Sequence, residues 1–261
     1  MIVCKSPAEL DTMYRANQIV ADVLLELYEA VEPGVTTAAL DAMAEHRVRG
    51  QGGVPGFKGY HGFPATLCVS LNEEIVHGIP SSRRRIAPGD VVSIDLGVLL
   101  EGYYGDSAIT IAVPPVDPKI ERLLTATRES LDVAIEHCVI GGRVGDISNA
   151  VQRRVEADGF SIVREFVGHG VGSVLHEDLQ VPNFGRAGVG VRLREGMVLA
   201  IEPMVNLGGP EVEVLADGWT AVARDRKPSA HFEHSVAITQ SGPWILSDRE
   251  RQQSQRAVAQ G

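Results

Sequence analysis

The sequence predicts an α+β fold in which helices lie outside a curved antiparallel sheet and one structural unit occurs twice. Helical and strand-like patterns follow each other in the same order in both halves of the 261-residue chain. A shift of 107 positions, the difference between 40 and 147, also superimposes similar residues. The matched pairs are Leu40 with Ile147, Gly89 with Gly196, Ile94 with Ile201 and Asp95 with Glu202.

The first half begins with two predicted helices. Ser6-Pro7-Ala8-Glu9 has the form of a capping box, and apolar residues then recur at helical spacing as far as Pro33-Gly34. A shorter helix follows through Leu40 and Val48 and ends at the glycines from Gly50. Alternation of side chains then predicts strands over 66–70, 91–99 and 103–113.

The second half repeats that order. Asp117-Pro118 opens a helical run that Gly141-Gly142 closes, Asp146 is expected to cap a further helix, and strands follow. The proline-rich connection over 114–118 is a stiff turn and not a flexible linker. We therefore expect residues 1–261 to form a single domain whose halves cover about 5–115 and 116–247.

Composition argues against several classes of protein. The 34 acidic residues outnumber the 24 basic ones and give a net charge of -10, so no specific nucleic-acid partner is expected. The dense basic run Arg83-Arg84-Arg85 is interpreted as a solvated turn, with partner binding as the less favoured alternative. No segment approaches the ~20 apolar residues that span a membrane. Cys4, Cys68 and Cys138 form no metal or disulfide pattern, which indicates a reducing, cytoplasmic location.

Four acidic residues stand in segments that otherwise have the pattern of buried strands. Asp is rare in strands, yet Asp95 lies inside the apolar run 91–96, and Glu202 occupies the matching place in the second half. Asp106 and Glu233 each open the second strand of the corresponding hairpin. The repeat would bring all four carboxylates together near the middle of the fold.

Such a cluster predicts a pair of metal ions. Carboxylates buried without partners are strongly destabilising, whereas two divalent cations cancel four negative charges. Oxygen ligands with one imidazole suit Mn, Fe, Co or Zn in a hydrolytic pair. The alternative is that Asp95 and Asp106 are turn or cap residues and that Glu202 and Glu233 pair with arginines. The relation of all four acids by the repeat favours the metals.

Three histidines accompany these acids. His77 and His169 each stand beside glycine, where backbone and metal can approach closely, and His176 follows seven residues after His169. Taken alone, each would more often be an ordinary core residue than a chemical group.

With these residues the sequence closely resembles the type I methionine aminopeptidases, which have the creatinase-like pita-bread fold. The resemblance runs over residues 5 to about 247. The segments that carry it are Tyr60-His61-Gly62-Phe63-Pro64, Leu71-Asn72-Glu73-Glu74-Ile75-Val76-His77-Gly78-Ile79-Pro80, Ile94-Asp95-Leu96-Gly97, Gly105-Asp106-Ser107, Gly168-His169-Gly170-Val171-Gly172, Ala200-Ile201-Glu202-Pro203-Met204 and Phe232-Glu233-His234.

The resemblance implies a catalytic domain with two divalent metal ions, of Co, Mn, Fe or Zn. His169 and Glu202 would complete one metal site, Asp95 would belong to the other, and Asp106 and Glu233 would bridge both. The metals would lower the pKa of a shared water from about 15.7 to about 7, so that hydroxide attacks the first peptide bond. Glu202 would accept the proton and return it to the leaving amine.

Substrate contacts are implied in the same way. His77 and His176 match histidines that contact the scissile amide and stabilise its tetrahedral intermediate. Leu175 and Leu179 depart from the family pattern, so an altered pocket wall is expected. The residues that match the methionine pocket, each of which could equally be core, are Tyr60, Phe63, Cys68 and Trp219.

The activity implied is removal of the initiator methionine from nascent proteins whose second residue is small. A monomer is expected, with the ribosome as a candidate partner. A proline-type peptidase on the same fold is one alternative, against which Ile201-Glu202-Pro203-Met204 argues. A non-catalytic peptide- or ribosome-binding module is another, although such a protein would be expected to have lost metal ligands. The ligand set accepts several metals, so the supply of each metal in the cell decides which one is bound.

Overall fold

A computed structural model describes residues 2–249 of the chain. The helices of this part are α1 (Pro7–Ala30), α2 (Thr37–Gly50), α3 (Pro118–Glu136) and α4 (Val144–Ala157), and a short 3-10 turn covers Tyr60–Gly62. The strands of the first half are β1 (Val54–Pro55), β2 (Leu67–Leu71), β3 (Glu74–Val76), β4 (Val91–Leu100) and β5 (Tyr103–Ala112). Those of the second half are β6 (Ser161–Ile162), β7 (Gly168–Gly170), β8 (Glu177–Val181), β9 (Val198–Ile201), β10 (Met204–Asn206), β11 (Val212–Val214), β12 (Ala221–Ala223), β13 (Ser229–His231), β14 (His234–Thr239) and β15 (Gly242–Ile245).

Side-chain caps fix the beginnings of two helices. At α1 the backbone N–H of Ser6 donates to Oε2 of Glu9 at 2.7 Å, and the N–H of Glu9 donates to Oγ of Ser6 at 3.4 Å. This is the predicted capping box. At α4 the N–H of Arg143 donates to Oδ2 of Asp146 at 2.8 Å. Asp146 therefore caps α4 from the third helical position, and the helix begins earlier than its sequence pattern predicted.

The predicted repeat is visible in several independent features. Helices α2 and α4 each have 14 residues and begin 107 positions apart, at 37 and 144. Isolated β-bridges join Thr36 to Arg85 and Arg143 to Arg192, and both partners are again offset by 107. The same shift relates Gly89, with a φ of 94°, to Gly196, with a φ of 82°. Both glycines occupy the left-handed region that other residues rarely adopt.

The antiparallel strands divide into four sheets. In the first half β4 pairs with β1, β2 and β5, and in the second half the order is β15-β14-β9-β7-β8. Two smaller sheets have the orders β13-β10-β6 and β11-β12-β3. The halves meet where the N–H of Glu233 donates to the carbonyl of Ala108 at 3.1 Å, and where Oγ of Ser107 donates to the carbonyl of Glu233 at 2.5 Å.

Each large sheet is covered by the helices of its own half. Ile94 and Leu96 of β4 belong to the apolar core that the first sheet shares with α1 and α2. Leu199 and Ile201 of β9 belong to the core shared with α3 and α4. Because successive side chains of a strand point to opposite faces, Asp95 points away from the helices.

The two halves differ in the length of their hairpins. Asp95 and Asp106 are 11 positions apart, whereas Glu202 and Glu233 are 31 positions apart, so the second half has 20 additional residues here. The 30 residues between Glu202 and Glu233 contain β10 to β13, and β12 pairs with β3 of the first half. The insertion thereby links the two halves beside His77, which directly follows β3.

Two further expectations concern the surface. Arg84 lies 2.9 Å from Oε1 of Glu74, and Nη1 of Arg85 donates to the carbonyl of Gly34 at 2.7 Å, so two of the three consecutive arginines hold the fold together. Arg83 and Arg85 are exposed, in agreement with a solvated turn. Between residues 2 and 249, none of the helices is long and apolar enough to cross a membrane.

A buried ion pair fastens the N-terminal segment to the second sheet. Nζ of Lys5 lies 2.7 Å from Oε1 of Glu177, and their side chains are only 1% and 8% exposed. The N–H of Lys5 also donates to the carbonyl of Gly196 at 2.7 Å. Since Glu177 directly follows His176, this pair holds the chain next to a predicted site residue.

Lys5→Met should destabilise the protein by about 3–5 kcal/mol, because it leaves the buried Glu177 carboxylate without its cation. The double variant Lys5→Met with Glu177→Leu should recover much of that loss. Arg226→Met, which breaks an exposed pair with Glu213, serves as the control and should cost far less. Urea unfolding measures all three. A loss in Lys5→Met no larger than in the control would contradict the assigned role.

Candidate active site

The strands deliver four carboxylates to the place where the two halves meet. Asp95 lies in β4 opposite Ala108, and Asp106 lies in β5 opposite Gly97. In the second half, Glu202 directly follows β9, and Glu233 directly precedes β14. Each acid therefore stands on or beside a strand of one of the two large sheets, as the repeat predicted.

One imidazole completes this group. Nε2 of His169 lies 3.8 Å from Oδ2 of Asp106 and 3.5 Å from Oε1 of Glu202. Ligating atoms of His169, Asp106 and Glu233 all lie within 4.8 Å of one another. The Nδ1 atom of His169 is 3.0 Å from the carbonyl of Gly170. When Nδ1–H donates to that carbonyl, the Nε2 lone pair is directed at the carboxylates, as a metal ligand requires.

Burial opposes charge on every member of the group. Desolvation raises the pKa of Asp95 to about 7. Desolvation, and then repulsion from neighbouring carboxylates, raises the pKa values of Asp106, Glu202 and Glu233 well above their usual range. Desolvation also lowers the pKa of His169 to about 3. Without cations, the cluster would therefore take up protons instead of remaining ionised.

The chemistry of these groups fits metal ions. Oδ1 of Asp95, Oδ1 of Asp106 and Oε1 of Glu233 are buried and have no hydrogen-bond partner. Buried polar atoms are normally paired, so such a convergence of unpaired oxygens calls for a cation. The positive charge of Arg249 opposes the rise in the pKa of Glu233 without cancelling it, and no arginine is among the groups that shift the pKa of Glu202. Pairing with arginines therefore does not account for the cluster.

A cavity of about 440 Å³ opens onto the carboxylates. It collects all of the site residues predicted from the sequence together with three others. Its lining consists of Asp95, Asp106, His169, Glu202, Glu233, His77, His176, Tyr60, Phe63, Cys68 and Trp219, and in addition Phe57, His61 and Leu175.

Two of the predicted histidines stand at different depths. His77 is partly buried, its ring packs edge-on to Phe166 at 5.4 Å, and desolvation lowers its pKa to about 4. His176 is exposed, and its Nδ1 lies 2.8 Å from the hydroxyl of Tyr60. When Tyr60 donates this hydrogen bond, Nε2 of His176 carries the proton and can donate to a bound substrate.

The end of the cavity away from the acids is apolar. Phe63 and Trp219 pack edge to face with centroids 5.1 Å apart, and Cys68 is buried between β4 and the same cluster. Desolvation raises the pKa of the Cys68 thiol well above its usual range, which keeps it neutral. Leu175 belongs to this wall, as expected. Leu179 does not, because its side chain packs into the helix-covered core of the second half.

Sequence analysis missed three contributors. Phe57 lies over Gly97, where an added Cβ would meet the Phe57 ring at 2.4 Å, so this glycine makes room for an aromatic wall. His61 has a φ of 48° and packs against Tyr60 at the cavity mouth. His231 lies behind Glu202, with Nε2 3.6 Å from Oε2. Its spacing of two from Glu233 on an extended segment was the signal that could have found it.

Comparisons with known proteins agree with this geometry. The sequence pattern of metallopeptidase family M24 matches residues 11–240. The chain belongs to this family. It is 51% identical over 247 residues to methionine aminopeptidase 1 of Bacillus subtilis, covering 95% of this chain and 99% of that protein. It is 49% identical over 247 residues to the methionine aminopeptidase of Clostridium perfringens, with the same coverage.

Solved structures of the family have the same fold. The crystal structure of methionine aminopeptidase from Thermotoga maritima superimposes with a TM-score of 0.94 at 44% identity, covering 95% of this chain and all of that one. The prolidase from Pyrococcus horikoshii shares the fold alone, at 23% identity and a TM-score of 0.77. The resemblance and the pita-bread fold predicted from the sequence are thus confirmed.

Removing metal should make the stability of the protein fall as pH rises from 7 to 8.5. The folded chain retains protons on Asp106, Glu202 and Glu233 that the unfolded chain, with ordinary pKa values of 3.8 and 4.5, has already released. Each retained proton therefore costs up to about 1.4 kcal/mol per pH unit. Unfolding of chelator-treated protein by urea measures this slope.

Asp106→Asn is the matched control, because it removes one of these protons and leaves the histidines and cysteines unchanged. The free energy of unfolding of chelator-treated Asp106→Asn should fall less steeply with pH than that of the unaltered protein. Adding Mn²⁺ at pH 8.5 should restore stability in the unaltered protein. Equal stability of the chelated protein at both pH values, or equal slopes in the two proteins, would contradict the account.

Proposed function

We propose that the protein removes the N-terminal methionine from peptides and nascent proteins whose second residue is small. The observation that carries this proposal is a single cavity with a carboxylate-imidazole cluster at one end and an aromatic wall at the other. Relatives that are about half identical over nearly their full length are methionine aminopeptidases, which supports the same activity here.

Two divalent ions are the proposed cofactors, and the residues that would hold them are Asp95, Asp106, His169, Glu202 and Glu233. Metal ions at such a site lower the pKa of water and polarise a carbonyl group. Three of the four carboxylates have an unpaired buried oxygen, and four negative charges together call for more positive charge than one divalent ion supplies. The oxygen-rich set is compatible with Co, Mn, Fe or Zn.

Side chains of the protein would accept and return the proton of the attacking water and would stabilise the negative charge that develops on the carbonyl oxygen. Glu202 is the proposed proton acceptor, and it later returns the proton to the leaving amine. His77 and His176 are proposed to donate hydrogen bonds to the carbonyl oxygen as it becomes negative. The hydroxyl of Tyr60 supports this role, because a hydrogen bond to Nδ1 of His176 leaves Nε2–H facing the substrate.

Specificity would come from the apolar end of the cavity. Tyr60, Phe63, Cys68 and Trp219 present apolar and polarizable surfaces, which suit the flexible thioether of methionine. Cys68 stays neutral and therefore acts as a small apolar group. Leu175 closes the wall on one side with a side chain that is narrower than an aromatic ring.

The remaining expectations stay predictions. They are that the whole chain forms one catalytic domain, that it acts as a monomer in the cytoplasm, and that the ribosome is a partner. A proline-specific peptidase is the second candidate, because prolidases share this fold. Sequence identity favours methionine removal, since the prolidase is only 23% identical whereas the methionine aminopeptidases reach 51%.

Full-length protein loaded with Mn²⁺ or Co²⁺ should release methionine from Met-Ala-Ser. Met-Leu-Ser should be cleaved at least tenfold more slowly, because a larger second side chain must fit beside the metals and the histidines. An Ala-Pro peptide should remain intact. Release of the first residue, measured by chromatography, distinguishes these outcomes. An uncleaved Met-Ala-Ser peptide, or faster cleavage of Ala-Pro, would rule the proposal out.

His77→Ala and His176→Ala should each lower kcat by about 10²–10³, because each removes one donor to the developing oxyanion. Metal content, measured by atomic emission, should be unchanged, since neither side chain is a proposed ligand. His46→Ala changes an exposed histidine on α2 and is the control, with kcat as in the unaltered protein. A loss of metal in either site variant would show that the residue acts on the metals instead.

A further inference from the structure

A second buried imidazole faces Glu202. His231 belongs to β13, and only 2% of the residue is exposed. Its Nε2 lies 3.6 Å from Oε2 of Glu202, whereas Nε2 of His169 lies 3.5 Å from Oε1. The two oxygens of one carboxylate therefore face two different histidines.

The backbone of His231 is anchored to β5. The N–H of His231 donates to Oγ1 of Thr110 at 2.9 Å, and that hydroxyl donates to the carbonyl of His231 at 2.6 Å. The ring atom Nε2 is buried and has no hydrogen-bond partner. An unpaired buried donor costs about 1–3 kcal/mol, so its position beside a carboxylate oxygen needs a reason.

Metal ligation is not that reason. All five proposed ligands line the cavity. His231 is not part of that lining. It approaches Glu202 from behind, and its Nε2 is available to carry a hydrogen atom.

We propose that His231 is a positioning residue whose Nε2–H donates to Oε2 of Glu202 and holds Oε1 towards His169 and the metals. The inference rests on the proposed function, in which Glu202 is both a metal ligand and the proton acceptor. A glutamate side chain has three rotatable bonds, so a donor behind one oxygen fixes the direction of the other. Outer partners of metal ligands typically change metal affinity or activity by about 10–100-fold when removed.

Three variants test this role. His231→Leu removes the donor and keeps an apolar side chain of similar size. His231→Gln keeps an amide N–H near the position of Nε2. Met204→Leu alters the buried residue that pairs with His231 across β10 and β13, and it changes packing without touching the donor. Co²⁺ binding is measured by calorimetry and by the visible absorption of the bound ion, and kcat and KM are measured on Met-Ala-Ser.

His231→Leu should bind Co²⁺ at least tenfold more weakly, with an altered absorption spectrum and a kcat lowered by a similar factor. KM should stay within about threefold, because His231 does not touch the substrate cavity. His231→Gln and Met204→Leu should stay within about threefold of the unaltered protein in every measurement.

Unchanged Co²⁺ affinity in His231→Leu would overturn the proposal. So would an equal loss in His231→Gln, or the same loss in Met204→Leu, because either would make packing the cause. Co²⁺ titration needs no peptide, so it separates this inference from the proposed function. If Met-Ala-Ser is not cleaved but His231→Leu still weakens Co²⁺ binding, the activity is wrong and the positioning role stands.

Discussion

Four buried carboxylates lie close together between the two large sheets. The cost of keeping them charged there governs how the rest of the protein is built. Desolvation raises the pKa values of Asp106, Glu202 and Glu233 well above their usual range, so the folded chain resists ionising them. Oδ1 of Asp95 has no partner that would relieve its burial. Divalent cations would neutralise these charges, so we expect metal binding to stabilise the folded chain.

The same constraint explains how the cavity is built. The central strands present the acids on one face and branched apolar residues, such as Ile94 and Ile201, to the helices on the other. Rigid strands hold the ligands, while the segments around Tyr60 and Trp219 supply the walls. Gly97 allows the Phe57 ring to lie against the sheet beside the acids. Reactive groups thus stand on the stiffest part of the fold, where their geometry varies least.

The two halves differ where the repeat is interrupted, and these differences shape the cavity. Helices α2 and α4 and their bridges keep one offset throughout. The second hairpin is longer by 20 residues, and the segment between Glu202 and Glu233 supplies both Trp219 in the cavity wall and His231 beside Glu202. A symmetric scaffold therefore carries an asymmetric cavity, to which the second half adds residues that have no counterpart in the first.

Periodicity, caps and charge in strands are local patterns, so the helices, the main strands, the repeat and the four acids could be predicted before any contact was known. The family resemblance added the histidines and the pocket residues. The folded chain was needed to separate Leu175, which lines the cavity, from Leu179, which does not, and to show that His231 faces Glu202. These facts depend on contacts between segments far apart in the chain. No local pattern encodes which distant side chain fills the space beside a given residue.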